Sequence, residues 1–170
     1  MKMRRVVLAA TITLVCSFAS LAAAQDGVLQ VRGPIWIAMP SGSGRLQSIT
    51  VKAPANGNMI ITMTGTVNYT HTLGTEGFWC LTLSKISGDT GGCVPMAGSD
   101  SAIRSYFSTG DATTVPGFGA SQPYSIVRTW PVTAGTTYTF YLNGYISGLG
   151  STYLFQPSAT AVFVTGTLVP

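Results

Sequence analysis

Apolar and polar residues alternate with a period of two along most of this chain. Ile61, Met63, Gly65, Val67 and Tyr69 alternate with Thr62, Thr64, Thr66 and Asn68, which predicts a strand with one buried face and one threonine ladder. Tyr138, Phe140, Leu142 and Ile146 interleave with Thr137, Thr139, Tyr141, Asn143 and Tyr145, a second strand with aromatic rings on both faces. Similar runs predict strands at Val28 to Arg32, Ile35 to Ala38, Leu46 to Lys52, Phe78 to Lys85, Ile103 to Phe107 and Tyr124 to Val132. A long final run extends from Thr152 to Leu168, with Pro157 placed to break it because proline donates nothing to a ladder. No segment sustains the 3.6-residue apolar period of a helix.

Turn-forming clusters separate these runs: Ser41 to Gly44, Pro54 to Gly57, Ser87 to Gly92, Pro116 to Gly119, and Ala134-Gly135. About eight or nine short strands in one chain of this length predict an antiparallel sandwich or a closed barrel. The longest poorly patterned stretch is 87–121, rich in Gly and Ser and carrying Asp89, Asp100 and Asp111, and long loops of this kind often hold function. Met63-Thr-Gly-Thr-Val67 echoes Val164-Thr-Gly-Thr-Leu168, but one echo does not make a repeat protein. Neither a linker nor a second domain is visible in 25–170.

Three segments together resemble a known family: Ile49-Thr-Val-Lys-Ala-Pro-Ala-Asn-Gly57, Pro131-Val-Thr-Ala-Gly-Thr-Thr-Tyr-Thr-Phe-Tyr141, and the Ala161-Val-Phe-Val164 strand. They are similar to small secreted or phage-associated bacterial domains related to the complement C1q and tumour-necrosis-factor jelly rolls. The resemblance covers about half of 25–170 through patterned strands and turns. It implies an all-β fold, an antiparallel β-sandwich of jelly-roll type with about eight to ten strands, often trimeric, that binds partners and does no catalysis. The disulfide inferred below and the 87–121 stretch have no counterpart in that pattern.

The first residues change the compartment. Lys2, Arg4 and Arg5 precede an apolar stretch from Val6 to Val15, and small residues end at Ala22-Ala23-Ala24 before Gln25. This three-part order predicts a secretory signal peptide over 1–24, cleaved after Ala24, in a bacterial protein that is secreted or periplasmic. The apolar run is short for a membrane span, and membrane insertion, including an outer-membrane barrel, is not expected. The leader also explains the charge. Nine Lys and Arg against five Asp and Glu give +4 for the whole chain, but three of the nine lie in the leader, which removes the clustered basic charge that nucleic-acid binding requires. In an oxidising compartment Cys80 and Cys93 are the two remaining thiols, and they are expected to form a disulfide.

Candidate chemistry is sparse. His71 is the single histidine, so any hydrolase scheme must pass through it, with Glu76 or an aspartate as partner. No G-x-S-x-G elbow accompanies it, and His71 is read as a surface residue beside a strand end, with no catalytic residues assigned. Asp89, Asp100 and Asp111 are the candidates for a calcium site, although they lack the alternating D-x-D spacing of a dedicated loop; otherwise no metal or cofactor is expected. Among the aromatics Trp36, Trp79, Trp130, Tyr106, Tyr124, Tyr141, Tyr145 and Tyr153, Trp79 alternates with Leu81 and Leu83 and belongs in the core. Tyr141, Tyr145 and Trp130 are the candidates for a ligand-binding surface. The expected partner is a second copy of the chain, as a homo-oligomer or an extracellular structural subunit. The alternatives are another protein or, through exposed aromatics, a glycan.

Overall fold

The structure is a computed structural model that describes residues 28–93, 102–111 and 119–165. The expected signal peptide and Asp100 lie outside the described residues. Among the described residues nine strands run in order: β1 (Val28–Arg32), β2 (Trp36–Ala38), β3 (Gly44–Lys52), β4 (Gly57–Tyr69), β5 (Gly77–Ser84), β6 (Ala102–Phe107), β7 (Ala120–Val132), β8 (Thr137–Ser147) and β9 (Thr152–Thr165). A 3-10 turn, Gly91–Cys93, accompanies them. The period-two segments all became strands, and β6 interrupts the stretch read as a long loop.

The pairing is nested and antiparallel throughout. Strands β1 and β2 pair with β9, β3 with β8, β4 with β7, and β5 with β6. That is one long hairpin, and rolling it up adds the contacts of β4 with β9 and of β5 with β8. Two sheets result, in orders β1-β9-β4-β7, with β2 also on β9, and β3-β8-β5-β6. If β1 and β2 count as one interrupted strand, this is the double Greek-key winding of a jelly roll. The strand order alone therefore establishes an antiparallel β-sandwich of the kind the patterning and the resemblance predict.

The inward sides of the two sheets make the core. Ile61, Met63, Val67, Leu154, Ala159, Ala161 and Phe163 come from the five-stranded sheet, and Ile49, Trp79, Leu81, Leu83, Phe140 and Leu142 from the other. Each large side chain removed from water there contributes about 1.5–3 kcal/mol. Trp79 is buried as its alternation with Leu81 and Leu83 requires.

Pro157 does not break β9. Gly65 alone on β4 faces both Gln156 and Pro157 on β9, between the pairs Thr64↔Ser158 and Thr66↔Phe155, so the proline sits in a bulge where no ladder donor is demanded. Gln156 takes a left-handed backbone with φ 48°. The neighbouring segment fills the interrupted ladder, the Gly33 N–H donating to the Pro157 carbonyl at 2.8 Å and the Gln156 N–H to the Ile35 carbonyl at 2.9 Å. Gly65 faces the ring of Tyr124, whose hydroxyl would lie 2.9 Å from a Cβ at that position.

The Cys80–Cys93 disulfide is present, with Cα atoms 5.7 Å apart. It ties residues 85–93 across the outward side of β5 and β8. Cys80, Thr82, Ser84 and Asn143 point away from the core, yet all four are buried. Asn143 organises this cover: its amide donates to the Ile86 and Asp89 carbonyls at 3.0 Å each, and its Oδ1 accepts from the Gly88 N–H at 2.7 Å.

Candidate functional site

Each sheet has one side turned away from the core, and the two outer sides differ. On the five-stranded sheet the outward residues are Asn58, Ile60, Thr62, Thr64, Thr66 and Asn68 of β4, with Ser121, Pro123, Ser125, Val127, Thr129 and Pro131 opposite them on β7. On β9 they are Tyr153, Phe155, Ser158, Thr160, Val162 and Val164. None of these is Asp, Glu, Lys or Arg, although an ordinary solvated surface is roughly a quarter to a third charged; on the short edge strand β1 the exposed Arg32, paired with Ser158, adds one charge at the margin of the same side. Hydroxyl-bearing residues occupy the middle of this face, and apolar residues gather at both ends.

At one end Trp36 of β2 lies against Phe155, with ring centroids 4.6 Å apart, and meets Tyr153 edge-on at 6.3 Å. Trp36 remains 55% exposed and Ile35 beside it 63%, values that are high for side chains of this size and apolarity. A cleft of about 460 Å³ opens there between Trp36, Tyr153, Asn68, Tyr69 and Ser151. The backbone at Gln156 is close by, held in its uncommon conformation by the bulge. One edge of this sheet is formed by β1 and β2, and the other is β7, whose Pro123 and Pro131 lack the N–H groups that an added strand would need.

The four-stranded sheet is more polar outside. Residues 85–93 cover its β5 and β8 strands toward one end. Toward the other end Tyr106 of β6, Phe78 of β5 and Tyr145 of β8 form a row across three strands, with ring centroids 5.3 and 5.4 Å apart and planes inclined by 30° and 21°. Tyr145 thus belongs to a cluster of rings. Tyr141 is half-buried on the same side, opposite Ser48 and Ser84.

Several residues singled out in the sequence sit elsewhere than expected. Trp130 is in the core: it is 8% exposed, its ring lies 4.6 Å from that of Phe140, and the Arg128 guanidinium covers it at 5.1 Å. It offers no open face to a ligand. Its spacing from Ile126 and Val132 carried that signal, since residues of one parity share one side of a strand. Tyr124, on the same parity, is buried too, and among the described residues its hydroxyl has no hydrogen-bond partner.

His71 is not on the surface. It is 1% exposed, packed on Phe107 with centroids 5.3 Å apart. Its Nδ1 faces the Asp111 carbonyl, while Nε2 faces the Thr75 carbonyl at 3.0 Å and the Thr75 hydroxyl at 3.3 Å. Both nitrogens are committed to closing the two loops around the ring. The burial comes from those loops, which lie outside any strand and so outside the reach of periodicity.

Of the candidate calcium residues Asp89, Asp100 and Asp111, the two within the described residues, Asp89 and Asp111, lie apart. Asp89 follows β5, where its carboxylate accepts from the Ser84 hydroxyl at 2.8 Å and the Gly91 N–H at 3.0 Å. Asp111 lies past β6, at the opposite end of β5, and accepts from the Ser108 N–H at 2.8 Å and hydroxyl at 2.9 Å. Those two donors hold the Asp111 carboxyl below the usual carboxylate range, with His71 adding a smaller effect in the same direction. Among the described residues no three of His, Cys, Asp and Glu group as metal ligands. No helix among the described residues is long and apolar enough to cross a membrane.

No family model matches the chain, and a search of curated proteins finds no match. Solved structures with a similar course of the chain include the Eiger TNF of S. frugiperda, at 9% identity and TM-score 0.40, over 84% of this chain and 96% of that one. They also include infectious bursal disease virus (Gx strain), at 13% identity and TM-score 0.42, over 84% of this chain and 33% of that one. A third is dimeric latent PorU of Porphyromonas gingivalis, at 13% identity and TM-score 0.37, over 84% of this chain and 13% of that one. The chain spans about a third of the viral protein. At such scores these likenesses carry no argument about function, and the class, a two-sheet jelly roll with a disulfide-held loop on one face, rests on the strand order.

Proposed function

We propose that this protein is exported and works by self-association rather than catalysis, using the outer side of the five-stranded sheet as its interface. The observation that carries the reading is the uncharged outward side of β4, β7 and β9, with Trp36, Tyr153 and Val127 left exposed on it. Charge depletion together with aromatic enrichment is the composition of an interface core.

The size fits. Strands of 13 and 14 residues extend about 43 Å, and the four strands across the sheet occupy a width of about 19 Å. The face therefore offers roughly 800 Å², what one partner contributes to a standard interface. Stacking face on face is favoured over edge pairing, because Pro123 and Pro131 blunt the β7 edge. The leader and the Cys80–Cys93 disulfide support export to an oxidising compartment. The engagement of both His71 nitrogens by loop backbone supports a non-catalytic role.

Light scattering coupled to size exclusion on residues 25–170 tests this. A dimer or trimer is expected, and the double variant Trp36→Lys with Val127→Asp should dissociate it while leaving the β circular dichroism spectrum unchanged. A monomer at high micromolar concentration, or an oligomer indifferent to the double variant, would overturn the reading.

A further inference from the structure

We infer that the four-stranded sheet carries a separate binding site for a neutral pyranose sugar, in the cleft beside Tyr106 and Phe78. It lies on the opposite side of the sandwich from the proposed interface, so it stays open when that interface is covered, and either can fail without the other.

The cleft encloses about 510 Å³ and is lined by Glu76, Phe78, Tyr106, Ser108 and Ser147. Its geometry follows from register. Phe78 is paired with Tyr106 on β6 and with Ser147 on β8, so ring, ring and hydroxyl meet on one side of the sheet. Cross-strand aromatic pairs can serve the sheet alone. Here, however, the row ends on an edge strand with Tyr106 54% exposed, beside a concavity in place of a flat surface.

Among the described residues the Glu76 carboxylate and the Tyr106, Tyr145 and Ser147 hydroxyls have no hydrogen-bond or ion-pair partner. A pyranose presents an apolar C–H face that packs on an aromatic ring, and a rim of hydroxyls that must keep hydrogen-bond partners when water leaves. Rings flanked by a free carboxylate and free hydroxyls answer both demands, the carboxylate accepting from adjacent sugar hydroxyls as a charge-assisted acceptor. No Lys or Arg lines this cleft, so the Glu76 charge disfavours a sugar acid.

The test is nitrogen-15 NMR titration of the disulfide-bonded 25–170 protein with cellobiose, maltose, lactose and diacetylchitobiose, each to about 10 mM, the range of weak sugar sites. At least one sugar should shift the Gly77, Phe78, Tyr106 and Ser147 amides in a saturable way, while galacturonic acid should not. Tyr106→Ala should weaken that binding at least tenfold and Glu76→Gln by about threefold to tenfold, with thermal melts confirming that both variants are folded. Absence of shifts with all four disaccharides, unchanged binding in Tyr106→Ala, or shifts produced by choline and by none of the sugars would overturn the inference.

Discussion

Replacing Asn143 with leucine tests whether residues 85–93 are held onto the sheet by one buried side chain. Asn143 has no exposed surface, and a leucine of similar volume removes its three hydrogen bonds, to Ile86, Asp89 and Gly88. At about 1 kcal/mol net each these account for roughly 3 kcal/mol. The Asp89 carbonyl keeps the Thr82 hydroxyl at 2.6 Å and the Ile86 carbonyl keeps the Asp89 N–H at 3.4 Å, so the further cost falls on the Gly88 N–H, at about 1–2 kcal/mol if water does not reach it. The expected loss is about 3–5 kcal/mol, a large fraction of the 5–15 kcal/mol typical of a domain.

Urea unfolding followed by tryptophan fluorescence reads the loss as a lower midpoint at nearly unchanged slope. Amide exchange locates it: the Gly88 N–H should lose its protection while amides in β4 keep theirs relative to the lowered global stability. The disulfide holds the same segment, so combining Asn143→Leu with Cys80→Ser and Cys93→Ser should cost less than the sum of the separate effects. A loss under about 1 kcal/mol, or a Gly88 amide as protected as in the parent protein, would refute the reasoning.

Three other outcomes are expected. Removing the disulfide alone, as Cys80→Ser with Cys93→Ser, should destabilise by roughly 3 kcal/mol in the chain-entropy picture, read as a lower denaturation midpoint that reducing agent reproduces in the parent protein. Burial pushes the Tyr124 hydroxyl well above the ordinary tyrosine value of 10.0; above that pH the unfolded chain releases a proton that the folded chain retains, so stability falls as pH rises. Tyr124→Phe should therefore flatten the alkaline limb of a stability-versus-pH curve, and raise stability at pH 7 by about 1 kcal/mol because it removes a buried hydroxyl without a partner. Gly148→Ala should be severe, since Gly148 has φ 65° and a Cβ would sit 1.9 Å from the Glu76 carbonyl; a melting temperature within a few degrees of the parent would contradict the packing described there.

Alternation was enough to place every strand and most strand faces, because a pleated backbone sends successive side chains to opposite sides whatever its neighbours are. Trp79, the threonine ladder of β4 and the outward Tyr141 and Tyr145 were legible for that reason. So was the burial of Trp130, from a parity outweighed by the usual association of tryptophan with binding surfaces. The Cys80–Cys93 pair was legible from the expected leader and the cysteine count.

What alternation leaves open is which strand lies beside which, and what loops do once the sheets exist. The row of Tyr106, Phe78 and Tyr145 depends on the registers of β5 with β6 and β8, which bring together residues far apart in the chain. Asn143 reads as a solvated polar position until residues 85–93 close over it. His71 belongs to no strand, and only the closure of two loops buries it. Pro157 reads as a break until Gln156 bends the backbone around it. Local steric preferences are written along the chain and can be read there; side-chain surroundings at the edges and on the outer faces are set by long-range pairing, so the three-dimensional fold alone decided them.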